Sequence, residues 1–353
     1  MKNIIYKILP ISLTEKMLFT KNLAVMAKSG ISLPRALEIL SAQIKHPYFK
    51  KAILASRKSI QEGLSLTDAF SRHARVFNQF YINMIKVGEM SGNLEHVLNI
   101  LAIQMKKEHQ LMTQVRGAMI YPALILLTLI GIGILMFIFV IPKLSQVFTD
   151  MQINLPLTTR LFLDLASNIR IYGLYIIFSL TGLILSFYFY VRTLSGKRNL
   201  HRLLLYLPFL GKMSQKINIT RFAGNLSSLL ESGVALVDAL KTLQGVLSNS
   251  VYQLSIEDIS QKVQKGESLT KALSAFPKLY SSLIIQMIEI GEETGTIADS
   301  LKQLADFYQS EIDETMKNIS SIIEPVLMII IGVIVGFFAI SMISPIYSML
   351  QGI

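Results

Sequence analysis

A chain of 353 residues that is 52% hydrophobic and 16% charged, with a mean hydropathy of +0.49, is too apolar for an ordinary water-soluble protein. The absence of cysteine excludes disulfides, thiol catalysis and Cys-based zinc sites. A net charge of +11 fits either a nucleic acid or a membrane surface as partner, and basic residues packed beside apolar runs favour the membrane.

Residues 1–13 do not read as a signal peptide, because Lys7 and Pro10 break the apolar stretch and no small-residue cleavage site follows. Residues 14–117 lack period-2 alternation and read as a bundle of short helices. Leu18, Leu23, Met26 and Ala27 keep helical spacing, and Lys28 to Gly30 supplies a last-turn cation and a stop. Ser32 can cap the next helix, with Pro34 in its first turn and Ala36, Leu37 and Leu40 on its buried face. A third amphipathic stretch, 49–62, ends at Gly63, and Ser65 then precedes a short helix. "YINMIKV" (81–87) reads as a helix ending at Gly88-Glu89. Gly92 supplies the left-handed backbone of a reversal, and Asn93 caps a helix running from about 94 through 116.

Three uncharged runs follow: 26 residues between Arg116 and Lys143, 21 between Arg170 and Arg192, and everything from Pro325 to Ile353. Roughly 20 apolar residues cross a bilayer core, so transmembrane helices are expected at 118–141, 171–191 and 321–349. Residues 1–118 carry 17 basic against 7 acidic side chains, and seven basic residues between Arg192 and Arg221 precede the first acid at Glu231. Positive flanks stay cytoplasmic. The N-terminal bundle (14–117) and a second bundle (192–320) therefore lie inside, while the loop 142–170 and the tail 350–353 lie outside.

The two halves repeat. "MIKVGEMSGNLEHVLNIL" (84–101) returns as "MIEIGEETGTIADSLKQL" (287–304), and the register of 203 residues holds without a gap over 19–150 against 222–353. The middle span has no counterpart; it returns the chain so that both units enter the membrane the same way up. Gly88, Gly92, Gly291 and Gly295 are candidate corner residues, and Thr296 with Asp299 has the form of a capping box. A corner alone does not require an acid, so Glu89 and Glu292, like the glycines, stand as structural corner or partner-contact candidates. Tyr121 with Pro122, and Glu324 with Pro325, mark where the two repeats enter the membrane. Glu324 fits a hydrated interfacial carboxylate or a functional contact. No phosphate-cradling G-x-x-x-x-G-K-[ST] loop, H-E-x-x-H or G-x-S-x-G occurs, and the five histidines lack metal-ligand spacing, so neither an enzyme nor a bound cofactor or metal is expected.

"FTKNLAVMAKSGISLPRALEIL", "MIKVGEMSGNLEHVL", "LPLTTRLFLDLA" and "LLYLPFLGKMSQKINITRFAGNLSSLLESGVALVDAL" resemble the PilC/GspF family, inner-membrane platform proteins of type IV pili and type II secretion. The resemblance covers nearly the whole chain. It implies an all-α fold of two homologous cytoplasmic bundles, about six helices each, plus three spans. The partners it implies are a hexameric cytoplasmic ATPase, pilins or pseudopilins, other inner-membrane assembly proteins and further copies of the chain, in a lipid bilayer and with no nucleic acid. If Glu324 is a functional contact and not a hydrated interfacial carboxylate, its expected partner is a pilin's charged N-terminal region or a neighbouring platform subunit. The rival readings are a secondary transporter, disfavoured by three spans with almost no interior polarity, and a membrane signalling scaffold.

Overall fold

The computed structural model describes residues 11–140, 172, 175, 178–179, 181–183, 185–207, 210–247 and 249–350. The expected loop at 142–170, residues 1–10, several positions of the span at 171–191 and the last three residues of the tail lie outside the described residues. All regular structure among the described residues is helical, so the fold is all-α.

The first repeat forms α1 (Leu13–Lys28), α2 (Leu33–Gln43), α3 (Pro47–Gln61), α4 (Leu66–Ser71), α5 (Gln79–Met90) and α6 (Leu94–Leu135), the last followed by a π-helical turn, Met136–Val140. An amphipathic helix, α7 (Leu194–Tyr206), precedes the second repeat. That repeat forms α8 (Leu210–Glu231), α9 (Leu236–Gln244), α10 (Ser250–Gln264), α11 (Leu269–Ser274), α12 (Ser282–Thr294) and α13 (Ile297–Leu350). The starts of α2 to α6 and of α9 to α13 differ by 203 residues in every pair.

Local chemistry accounts for this agreement. Gly30, Gly63 and Gly92 have φ of 71°, 95° and 67°, and their counterparts Gly233, Gly266 and Gly295 have 87°, 91° and 71°. Only glycine enters that region without penalty, so each reversal is written into both copies at the same place. The Ser65 and Ser268 hydroxyls accept from the backbone N–H of Asp68 and Lys271, starting α4 and α11.

Two compact units divide the chain. One gathers the residues up to Thr113 with Arg198–Asp313; the other gathers Gln114–Lys197 with Glu314–Ile353. The first unit holds both bundles around a continuous apolar core. In the first bundle Phe19, Phe49, Phe70, Phe77 and Tyr81 form an aromatic cluster, with Phe70 stacked on Phe77 at 4.0 Å between centroids. Phe222, Tyr252 and Tyr280 take the equivalent places of Phe19, Phe49 and Phe77 in the second. The buried tyrosine hydroxyls find partners: Tyr252 donates to the Leu279 carbonyl, and Tyr280 pairs with the Ser255 hydroxyl. Burial pushes the Tyr81, Tyr252 and Tyr280 phenols well above their ordinary pKa, so all three stay neutral.

Some details depart from the sequence reading. On α1 the buried residues are Phe19, Thr20, Leu23 and Ala24, whereas Leu18 stays half exposed. The apolar stripe of α1 is thus rotated, because it packs on the aromatic cluster and leaves a second apolar row uncovered. Helix α5 does not end at Gly88-Glu89 but runs on to Met90, with Ser91 as its C-cap. Ser32 precedes α2 without a side-chain cap bond, and the Thr296 hydroxyl pairs with that of Thr294 instead of completing a capping box.

In the second unit the apolar part of α6 is almost bare: 6% of its most apolar stretch is buried. Ile120, Leu124, Leu127 and Ile130 are each more than 60% exposed, a surface that water would penalise and hydrocarbon would not.

Candidate functional site

The repeated phrase folds into a corner in which each marked residue has a separate job. Gly88 and Gly291 lie inside α5 and α12, where the next helix crosses. A Cβ on Gly88 would sit 3.1 Å from the Leu94 Cα and 3.2 Å from the Val97 Cβ. On Gly291 it would sit 2.6 Å from the Ser300 Oγ and 3.0 Å from the Ile297 Cα. These glycines are therefore close-approach residues, not helix stops. The stop lies four residues on, at Gly92 and Gly295 with their positive φ.

Glu89 and Glu292 reach back to a helix that starts more than twenty residues earlier. The Glu89 carboxylate accepts from the backbone N–H of Leu66 at 2.6 Å and of Thr67 at 2.9 Å, and from the Thr67 hydroxyl. Glu292 accepts from the N–H of Leu269 at 2.7 Å, from that of Thr270 at 3.1 Å and from the Thr270 hydroxyl at 2.7 Å. The first N–H groups of a helix have no partner within it. Here the glutamate takes the first two, and Ser65 or Ser268 takes the third. A fixed negative charge at a helix N-terminus is favourable, and a charged acceptor strengthens each bond. The acid thus ties the end of α5 to the start of α4, and the end of α12 to the start of α11. The sequence signal for this was the Ser-Leu-Thr at the start of both short helices, paired with a glutamate at the same place in the two copies.

The residues expected at the membrane entrance occupy the interior of long helices. Helix α6 runs through Tyr121 and Pro122 without a break; Tyr121 is exposed and Pro122 is buried. Glu324 and Pro325 lie within α13, both exposed, and neither starts a helix. The structure brings the corner residues together within each repeat and leaves the entrance residues on separate helices.

Sequence reasoning missed a polar seam between the two bundles. Arg221 on α8, nearly buried, pairs with Glu108 on α6, its Nε and Nη2 donating to the two carboxylate oxygens. Lys107 reaches Asp306 on α13 at 2.7 Å, Gln104 donates to Asn225 at 3.3 Å, and Asn83 on α5 donates to the Thr242 hydroxyl on α9 at 2.6 Å. A cavity of about 270 Å³ opens along this seam, lined among others by Lys16, Tyr81, Glu108, Arg221 and Asn225. Burial there lowers the Lys16 pKa. The signal was present as mismatch: Leu18 stands opposite Arg221 in the repeat, Gln104 opposite Phe307 and Lys107 opposite Ser310. Among the described residues no group of His, Asp and Glu is placed to hold a metal ion.

Comparison with known proteins recovers the same repeat. The family described as Type II secretion system (T2SS), protein F matches twice, over residues 19–142 and 222–345, again 203 residues apart. The type IV pilus assembly protein PilC of Thermus thermophilus is 32% identical over 338 residues, which are 96% of this chain and 83% of that protein. The PilC of Myxococcus xanthus is 31% identical over 333 residues, 94% of this chain and 80% of that protein. The type II secretion system protein F of Aeromonas hydrophila is 32% identical over 338 residues, 95% of this chain and 86% of that protein.

Proposed function

Because the chain belongs to the type II secretion system protein F family, we propose that it is the membrane platform on which a type IV pilus or a secretion pseudopilus is assembled. The family is structural, not enzymatic, and its members are inner-membrane components of pilus and secretion systems. The observation that carries the reading is the tandem unit itself: a helical bundle feeding a long helix, present twice and matched twice by the family, with the apolar stretch of α6 left bare.

In this reading the chain crosses the membrane at 118–141, 171–191 and 321–349, with bundles at 14–117 and 192–320 in the cytoplasm and the loop 142–170 outside. A hexameric cytoplasmic ATPase hydrolyses ATP, and its motion passes through the bundles to lift pilins or pseudopilins from the bilayer. Surface charge divides the work. Residues 1–118 carry a net charge of +10, whereas 192–321 hold 14 basic against 13 acidic residues, so the first bundle is the better match for an acidic ATPase surface. In the same reading the exposed Glu324 contacts a pilin's charged segment or a neighbouring platform chain, and Glu89 and Glu292 support the fold.

The test uses the full-length chain. Lys50, Lys51 and Arg72 are exposed on the first bundle. Reversing all three to Glu is expected to lower the ATPase recovered with the chain from solubilised membranes about tenfold, and to abolish pili or secretion at normal platform levels. Unchanged ATPase recovery would contradict the assignment of the first bundle. Loss of the whole chain without any loss of pili or secreted protein would contradict the platform reading and favour a signalling scaffold, and solute uptake by the reconstituted chain would favour a transporter.

A further inference from the structure

The two bundles are joined head to tail, and such a joint leaves one face of each bundle unused. The first bundle contributes Asn83 from α5 and Gln104, Lys107 and Glu108 from α6; the second receives them on Arg221, Asn225, Thr242 and Asp306. A symmetric joint between repeats would bury the same positions on both. This one does not. The receiving row of α8, Arg221 and Ser228, is 8% exposed at both residues, while its counterparts on α1, Leu18 and Val25, are 50% and 55% exposed. The contributing positions Val87 and Gln104 are partly covered, while their counterparts Ile290 and Phe307 are 60% and 46% exposed. Each empty face thus carries large apolar side chains at positions that its twin covers wholly or in part.

Charge matches the two empty faces to each other. Residues 282–314, which carry Ile290 and Phe307, hold eight carboxylates against one lysine; Glu292, Asp306 and Glu311 are engaged within the chain, and Glu289, Glu293, Asp299 and Glu314 are exposed. On helix α1, Lys28 pairs with Glu95 and Lys16 lines the seam cavity, while Lys21 lies exposed between Leu18 and Val25. A heterologous contact of this kind propagates from copy to copy, closing into a ring or running on as a chain. Opposite charge on the two faces sets the register and suppresses like-with-like pairing.

We propose that the Ile290–Phe307 face of one copy docks on the Leu18–Val25 face of α1 of a second copy, repeating between chains the joint that α5 and α6 make with α8 and α9 within one chain. The proposal rests on the platform reading only in that copies share one face of a membrane, and its readout does not require pilus output.

The cysteine-free sequence provides a clean background. Asn22 and Phe307 are the counterparts of the hydrogen-bonded Asn225 and Gln104. Two differently tagged full-length chains, one carrying Asn22→Cys and the other Phe307→Cys, are co-expressed and their membranes oxidised with copper phenanthroline. A chain carrying Gln104→Cys with Asn225→Cys sets the yield of a formed joint. The expected result is a mixed-tag dimer at comparable yield, reduced about tenfold when Val25→Asp is added to the first chain, since an acid there faces acids. Absence of the mixed dimer overturns the proposal. So does equal dimer formation by Asn22→Cys chains alone, because that is the product of a symmetric contact.

Discussion

The two bundles agree in backbone and disagree in surface, and the contrast separates what holds the fold from what the fold presents. Every positive-φ glycine of the first bundle has its twin in the second, and Glu89 and Glu292 accept from the same set of donors. The faces differ: a row that is Leu18, Lys21, Asn22 and Val25 in one bundle is Arg221, Gly224, Asn225 and Ser228 in the other. Glycine and a capping acid answer demands set by chain geometry, which duplication preserves. A surface side chain answers to its neighbour, and after duplication the two bundles no longer had the same neighbours.

The largest effect is expected at the joint, where the copies differ most. Glu108→Ala removes a bidentate carboxylate from the nearly buried Arg221 guanidinium, and losing one member of such a pair costs about 3 kcal/mol. Urea unfolding of the solubilised chain checks this. The equivalent change at Glu311, whose partner Lys216 is more exposed, is expected to cost about 1 kcal/mol or less. Equal losses at the two sites would remove the asymmetry on which the joint is argued.

A smaller inequality is expected at the corner. Gly291→Ala forces a Cβ against the Ser300 side chain and the Ile297 backbone and is expected to cost about 2 kcal/mol. Gly88→Ala meets Leu94 and Val97 at slightly longer range, so part of the clash is offset by the better helix propensity of alanine, for a net cost below about 1 kcal/mol. Thermal unfolding of the two variants side by side decides the order.

Much of the helical plan was legible in the chain because its signals are local. Gly30, Gly63 and Gly92 with Ser65 punctuate the helices within a few residues of where they act, and the repeat confirmed each mark. Gly88 was harder to place. A glycine near a helix end reads as a stop, and only the crossing of the next helix shows that it makes room instead. The role of Glu89 depends on amides 22 and 23 residues upstream, a distance no local pattern spans. The inter-bundle seam joins residues such as Asn83 and Thr242, 159 positions apart, and even the rotated stripe of α1 follows from packing that the spacing of Leu18 and Leu23 could not reveal.

In both bundles the repeated phrase is a corner whose acid caps a neighbouring helix. Hydrogen exchange on the full-length chain carrying Glu89→Ala, and separately Glu292→Ala, is the decisive experiment. Glu89→Ala is expected to expose the amides of Leu66 and Thr67 while those of Leu269 and Thr270 keep their protection, and Glu292→Ala to do the reverse, each with a stability loss of about 2 kcal/mol. Unchanged protection at both short helices, together with loss of partner binding, would contradict it and return the two glutamates to the surface as contact residues.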